Sequence, residues 1–83
     1  MKYLKIVTSS LRVHIIPFHM IRFQCERKSN PKENDKYMVC IIVDGKEIVC
    51  TAINSPDKFI KRCLDFENGC CDVITFNDLV DGI

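Results

Sequence analysis

YMVCIIVDGKEIVCTAINSPDKFIKRCL, residues Tyr37–Leu64, carries three separate structural signals. Two apolar runs, 36–43 and 46–53, flank the dipeptide Asp44-Gly45. A type I′ hairpin turn needs positive φ at both central residues, which Asp tolerates and Gly adopts freely. The runs are rich in Val and Ile, as strands require. Ser55-Pro56 then marks a helix start: the Ser hydroxyl can accept from a free first-turn amide, and Pro suits the first helical position.

A regular hairpin about this turn sets Tyr37, Val39, Ile41 and Val43 beside Ile48, Cys50 and Ala52. The opposite face holds Met38, Cys40 and Ile42 with Glu47, Val49, Thr51 and Ile53. Both faces are apolar, so each needs a cover. The helix, expected over about 55–66, offers one through Pro56, Phe59, Ile60, Cys63 and Leu64, which recur at helical spacing. Asp57 at its start and Lys61-Arg62 toward its end suit the helix dipole, and Asn68-Gly69 is a plausible stop.

Upstream, 2–8 and 11–16 read as a first hairpin about Ser9-Ser10. A two-residue loop there gives Leu4, Ile6 and Thr8 a common face with Leu11, Val13 and Ile15, and leaves Tyr3, Lys5, Val7, Arg12, His14 and Ile16 on the other. Pro17 removes a backbone donor and ends that strand. A third strand, about 20–26, alternates Ile21, Phe23 and Cys25 with Arg22, Gln24 and Glu26. Residues 27–35 are polar and read as an exposed loop. In the tail, Val73, Ile74 and Phe76 suggest a short strand, and Asn77 or Asp78 a helical turn. The sum is a single α+β domain over 1–83: a five-stranded antiparallel, curved sheet or open barrel (strands about 2–8, 11–16, 20–26, 36–43 and 46–53), one helix and a partly ordered tail.

The stretches Ile16-Pro17-Phe18-His19-Met20-Ile21-Arg22-Phe23, Val43-Asp44-Gly45-Lys46 and Ser55-Pro56-Asp57-Lys58-Phe59-Ile60 give an order of elements that resembles the small flagellar FlbD-type family. That family has an Ile-rich strand after a Pro or Asp corner, a hairpin with a Gly turn, and a short Ser-started helix. The acidic pair that usually opens such helices is Asp57-Lys58 here. The resemblance covers roughly residues 3–64 and transfers no catalytic residue. The chain also has the look of short β-rich bacterial or mobile-element proteins.

Composition narrows the function classes. At 83 residues, 47% hydrophobic and 28% charged, the chain suits a small globular fold, one that buries roughly 60–65% of its unfolded surface. No apolar run reaches the roughly 18 residues of a membrane span, and Lys5 and Arg12 interrupt the N-terminal apolar residues, so neither a span nor a secretory signal is expected. Of the six cysteines, Cys25, Cys40, Cys50 and Cys63 fall at apolar positions within expected elements and Cys70-Cys71 in the tail. They read as free thiols of a reduced, cytoplasmic protein, packing as small hydrophobes.

Chemistry-bearing patterns are sparse. No C-x-x-C occurs, and a zinc set of His19, Cys25, Cys70 and Cys71 lacks ligand spacing, so no metal or cofactor is expected. Cys71 with His14 or His19 lacks any feature that lowers a thiol pKa. The glycines, at 45, 69 and 82, form no phosphate loop. The sequence thus points away from an enzyme.

Two binding readings remain. The first is a non-catalytic binding or assembly module, a homodimer or a complex with another protein, using an apolar sheet face of Met38, Cys40, Ile42, Val49 and Ile53. The second is a weak nucleic-acid-binding accessory role. Residues 1–36 hold eight Lys/Arg against three Asp/Glu, net +5, whereas 37–83 hold four against eight, net −4. Lys5, Arg12, His14 and Arg22 are the candidate phosphate-tracking face.

Overall fold

The computed structural model describes residues 1–28 and 36–83. The fold is α+β, with six strands and two helices among the described residues: β1 (Tyr3–Val7), β2 (Val13–Pro17), a 3₁₀ turn (Phe18–Met20), β3 (Arg22–Lys28), β4 (Lys36–Val43), β5 (Lys46–Ile53), α1 (Pro56–Asn68), β6 (Val73–Thr75) and α2 (Phe76–Val80). The strands form two three-stranded sheets, ordered β2-β1-β6 and β3-β4-β5, in place of the single five-stranded sheet expected. Two local features separate them. The 3₁₀ turn after Pro17 drops Phe18 into the core before β3 begins. The free edge of β1 is taken by β6, which pairs with it in parallel, Leu4 opposite Ile74. Of the polar loop expected over 27–35, Arg27 and Lys28 belong to β3 instead; residues 29–35 lie outside the described residues.

The first hairpin takes a longer loop than Ser9-Ser10 alone. Val7 pairs with Val13, Ile6 with His14 and Leu4 with Ile16, one position off the expected register. Neither Ser welcomes positive φ, and the left-handed conformation falls instead on Leu11, at φ 63°. The Leu11 amide donates to the Thr8 carbonyl at 2.9 Å, and the Thr8 amide to the Arg12 carbonyl at 2.9 Å, closing a three-residue loop whose last member is left-handed. The slip swaps the faces of β2. His14 and Ile16 join Leu4 and Ile6 on the inner side, while Val13 and Ile15 join Lys5 and Val7 outside.

The second hairpin has the expected turn, with Asp44 at φ 52° and Gly45 at φ 76°. Its register shifts once: Ile41 pairs with Val49 but Ile42 with Glu47, so Ile48 is an extra residue, a β-bulge. Beyond the bulge Thr51 faces Val39 and Ile53 faces Tyr37, and Cys50 lies opposite Cys40. Cys40 and Cys50 are disulfide-bonded, with Cα atoms 4.2 Å apart, which corrects the expectation of six reduced thiols. Cys25, Cys63, Cys70 and Cys71 are free.

Helix α1 begins as expected: the Ser55 hydroxyl accepts from the Lys58 amide at 3.3 Å, with Pro56 next in the chain. It runs to Asn68, so Lys61 and Arg62 sit mid-helix. Lys2 from the N-terminus supplies the cation at the helix end. Its ammonium donates to the Gly69 carbonyl at 2.7 Å and to the Cys71 carbonyl, and stands 5.2 Å from the centroid of the Phe66 ring. Arg62 donates to the carbonyls of Asp78, at 3.1 Å, and Asp81, tying α1 to α2. The tail is ordered, with the Thr75 hydroxyl accepting from the Asp78 amide at 3.1 Å to open α2. Phe76, Leu79 and Ile83 enter one core with Leu4, Ile6, Phe18, Val39, Ile41, Ile53, Phe59 and Phe66. No helix among the described residues is long and apolar enough to cross a membrane.

Candidate protein-interaction groove

The apolar stripe of α1 is wider than the core accepts. Phe59 and Phe66, seven residues apart, are buried, and Cys63 is half-buried between them. Ile60 and Leu64, one helical turn apart and expected in the core, remain 55% and 51% exposed. They flank a groove between α1 and β3.

The inward residues of β3, Phe23 and Cys25, form the other wall. The groove has a volume of about 320 Å³ and is lined by Phe18, Phe23, Cys25, Val39, Pro56, Phe59, Ile60, Cys63, Leu64 and Glu67. Glu67 is the one acidic residue of the lining among the described residues. One end is filled by aromatic rings: Phe18 lies 5.6 Å from Phe23 and 5.1 Å from Phe66, and Phe23 lies 5.3 Å from Phe59. Two residues along β3 the side chain is Cys25, too small to reach across, and the space stays open.

The two groove thiols are poor nucleophiles. Burial pushes the Cys63 thiol up to about 11, with the Glu67 carboxylate adding to the effect. Burial also raises the Cys25 thiol. Both are therefore protonated near neutral pH and line the groove as small apolar groups. The third wall property is backbone. Strand β3 ends its sheet, and among the described residues no strand pairs with its outer side. Over Arg22–Glu26, a strand edge with no strand partner among the described residues thus runs beside an apolar trough.

The residues expected to form an apolar sheet face are divided by the bulge. Met38, Cys40 and Ile42 lie on the outer face of the second sheet, where Arg22, Gln24 and Glu26 of β3 flank them. Val49 and Ile53 pair with Ile41 and Tyr37 on the inner face, and Ile53 is buried against the tail's core residues. The candidate phosphate-tracking residues are likewise separated. Lys5 is on the outer face of the first sheet and His14 on its inner face. Arg12 lies in the loop, and Arg22 is on the outer face of the other sheet. Lys2, another basic residue of the N-terminal half, is engaged at the end of α1.

The groove itself was not apparent in the sequence, although two signals for it were present. The alternation of Phe23 and Cys25 marked the inner side of β3, and the apolar sector of α1, with Phe66 added, exceeded what one sheet edge covers. Among the described residues, the one cluster of three or more possible metal ligands is Cys40, Glu47 and Cys50. It does not include His19, Cys25, Cys70 or Cys71.

No protein-family model matches the chain, and no curated protein or solved structure matches it.

Proposed function

We propose that this protein is a non-catalytic binding module that captures an extended, apolar segment of a partner protein between β3 and α1. The observation that carries the reading is the edge of β3 over Arg22–Glu26, which no strand pairs with among the described residues, beside an apolar groove flanked by Ile60 and Leu64. A strand added to that edge gains main-chain hydrogen bonds, and its alternate side chains turn into the groove. The nearly wholly apolar lining selects aliphatic or aromatic side chains at those alternate positions. Protonated Cys25 and Cys63 suit that role better than nucleophilic chemistry.

An unbiased library of displayed linear peptides tests the proposal. Selected peptides should share apolar residues at every second position and shift the amide resonances of Phe23, Gln24 and Cys25. Leu64→Glu, which puts a charge on the groove wall, and Cys25→Phe, which fills its open end, should each weaken binding at least tenfold while the fold persists. Peptides that perturb another surface, or that bind both variants unchanged, would overturn it.

A second copy of the chain is a second reading, favoured by a different surface. Among the described residues strand β2 is an edge, and its outward Val13 and Ile15 are exposed together with Val7 of β1. Antiparallel pairing of two β2 strands about a two-fold axis would extend this apolar row across both copies. Light scattering at low and high salt reads it directly. A dimer that persists in high salt and is lost in Ile15→Lys supports it, and a monomer throughout refutes it.

A further inference from the structure

The outer face of the second sheet carries a cluster that neither reading above uses. The β-bulge at Ile48 creates it. Residues 47 and 50 are an odd number apart, so a regular strand would send their side chains to opposite faces. The extra residue reverses this: Glu47 pairs with Ile42, which shares a face with Cys40, and Cys50 pairs with Cys40 directly. The two sulfurs and a carboxylate oxygen of Glu47 all lie within 4.8 Å of one another. Cys40 is 9% exposed, Cys50 is half-buried and Glu47 is exposed, so the cluster has a dry floor and an open side.

We infer that Cys40, Glu47 and Cys50 form a redox-gated site for a thiophilic divalent cation such as zinc. In the oxidised state the sulfurs are spent on each other in the disulfide, and the site is closed. Exchange with a small dithiol opens it: the dithiol is oxidised to its own disulfide, and Cys40 and Cys50 each gain a proton and become thiols. Binding of the cation then displaces those two protons, and two thiolates with the Glu47 carboxylate form three metal bonds. Side chains directly opposite in an antiparallel pair have Cβ atoms roughly 4.5–5.5 Å apart, a span from which two sulfurs reach the edge of a tetrahedral site at roughly 2.3 Å from zinc. Water completes the fourth position from the open side. The β4–β5 pairing runs on both sides of the Cys40–Cys50 pair, from Tyr37–Ile53 to Val43–Lys46, so gating requires only side-chain rotation.

The sequence gives no hint of this, since the ligands stand at Cys-x₆-Glu-x₂-Cys across a hairpin turn and match no common zinc spacing. The proposal is independent of the groove, which opens on the other face of the same sheet.

The test begins with the full chain carrying Cys25→Ser, Cys63→Ala, Cys70→Ser and Cys71→Ser, so that one pair of sulfurs remains. Reduced without oxygen and titrated with cadmium, it should develop thiolate-to-metal charge-transfer absorption that saturates at one ion per chain. Native mass spectrometry should show the mass of one cation less two protons. The oxidised protein should do neither, and Glu47→Gln should weaken binding at least tenfold. Thermal unfolding guards against loss of fold on reduction: cadmium should raise the midpoint of the reduced protein alone. Saturation at another stoichiometry, equal absorption in Cys50→Ser, or no response of the reduced protein in either measurement would overturn the proposal.

Discussion

Replacing Leu79 by alanine should destabilise the protein far more than replacing Leu64, although the two residues are chemically identical. Leu79, in α2, is 0% exposed and packs in the core with Ile53 and Phe76. Truncating a fully buried leucine removes its transfer free energy and leaves a cavity, typically about 2.7–5 kcal/mol in all. Leu64, in α1, is 51% exposed, so about half of its transfer term is at stake and no closed cavity forms. Three carbons at about 0.8 kcal/mol each, halved, give about 1 kcal/mol. Part of that is returned by the higher helix propensity of alanine.

A chain of this length has a total stability of roughly 4–12 kcal/mol. Leu79→Ala therefore removes a large share of it, and Leu64→Ala very little. Urea unfolding followed by far-UV circular dichroism resolves the difference. With a slope of about 1 kcal/mol per molar, Leu79→Ala should lower the midpoint by about 3 M or more, and Leu64→Ala by about 1 M or less. The reverse order would mean that α1 buries Leu64 and the tail does not pack against the sheets, which would refute the description of both core and groove.

Leu11 is 84% exposed and left-handed, so Leu11→Gly should relieve backbone strain without losing burial. A net gain of about 0.5–1 kcal/mol is expected after the added entropy of glycine, read as a higher thermal midpoint. Gly69→Ala should do the opposite: a Cβ there would stand 2.9 Å from the Asp65 carbonyl oxygen, and the end of α1 must shift, lowering stability by about 1–3 kcal/mol in the same assay. The thiol of Cys63 predicts an alkaline limit. Its folded pKa, about 11, exceeds the ordinary 9.0, so the stability it contributes is intact below pH 9 and is lost as pH rises toward 11. Allowing for its partial exposure, the loss is about 1 kcal/mol. Unfolding measured from pH 8 to 11 should show this slope, and Cys63→Ala should reduce it to the smaller contribution of the Cys25 thiol, which burial also raises.

What could be read from the chain differs by element, for physical reasons. Asp44-Gly45 and Ser55-Pro56 act through local backbone chemistry, and both the turn and the helix start occur where the residues require them. The bulge at Ile48 was invisible because β4 and β5 are apolar on both faces. With no polar partner to penalise the wrong face, alternation cannot fix the register. In the first hairpin the same weakness combined with a poor turn dipeptide, and the loop settled on Leu11. The split into two sheets depended on β6, three residues long and paired in parallel with β1 from the far end of the chain. No local pattern announces such a partner. The groove was hidden because it depends on which sector of α1 faces inward, and that is set by Phe66 and the rings it meets.

Those rings also explain why the groove is a fixed feature of the fold. Phe18 arrives from the corner after Pro17 and contacts both Phe23 of β3 and Phe66 of α1, while Phe23 contacts Phe59. The four rings prop the helix against the sheet from Phe59 in its first turn to Phe66 in its last. Lys2 holds the C-terminal end of α1 through the Gly69 and Cys71 carbonyls, and Arg62 binds its middle to α2. A helix held at these points cannot roll to bury Ile60 and Leu64 without breaking the aromatic contacts. Nor can β3 close the gap, because the residue it offers there is Cys25. The apolar surface left in water therefore follows from packing that is favourable elsewhere, and a ligand that covers it meets walls already in place. Preorganisation of this kind lowers the ordering entropy that binding must offset, and it makes an extended partner segment a better fit than one requiring the helix to move.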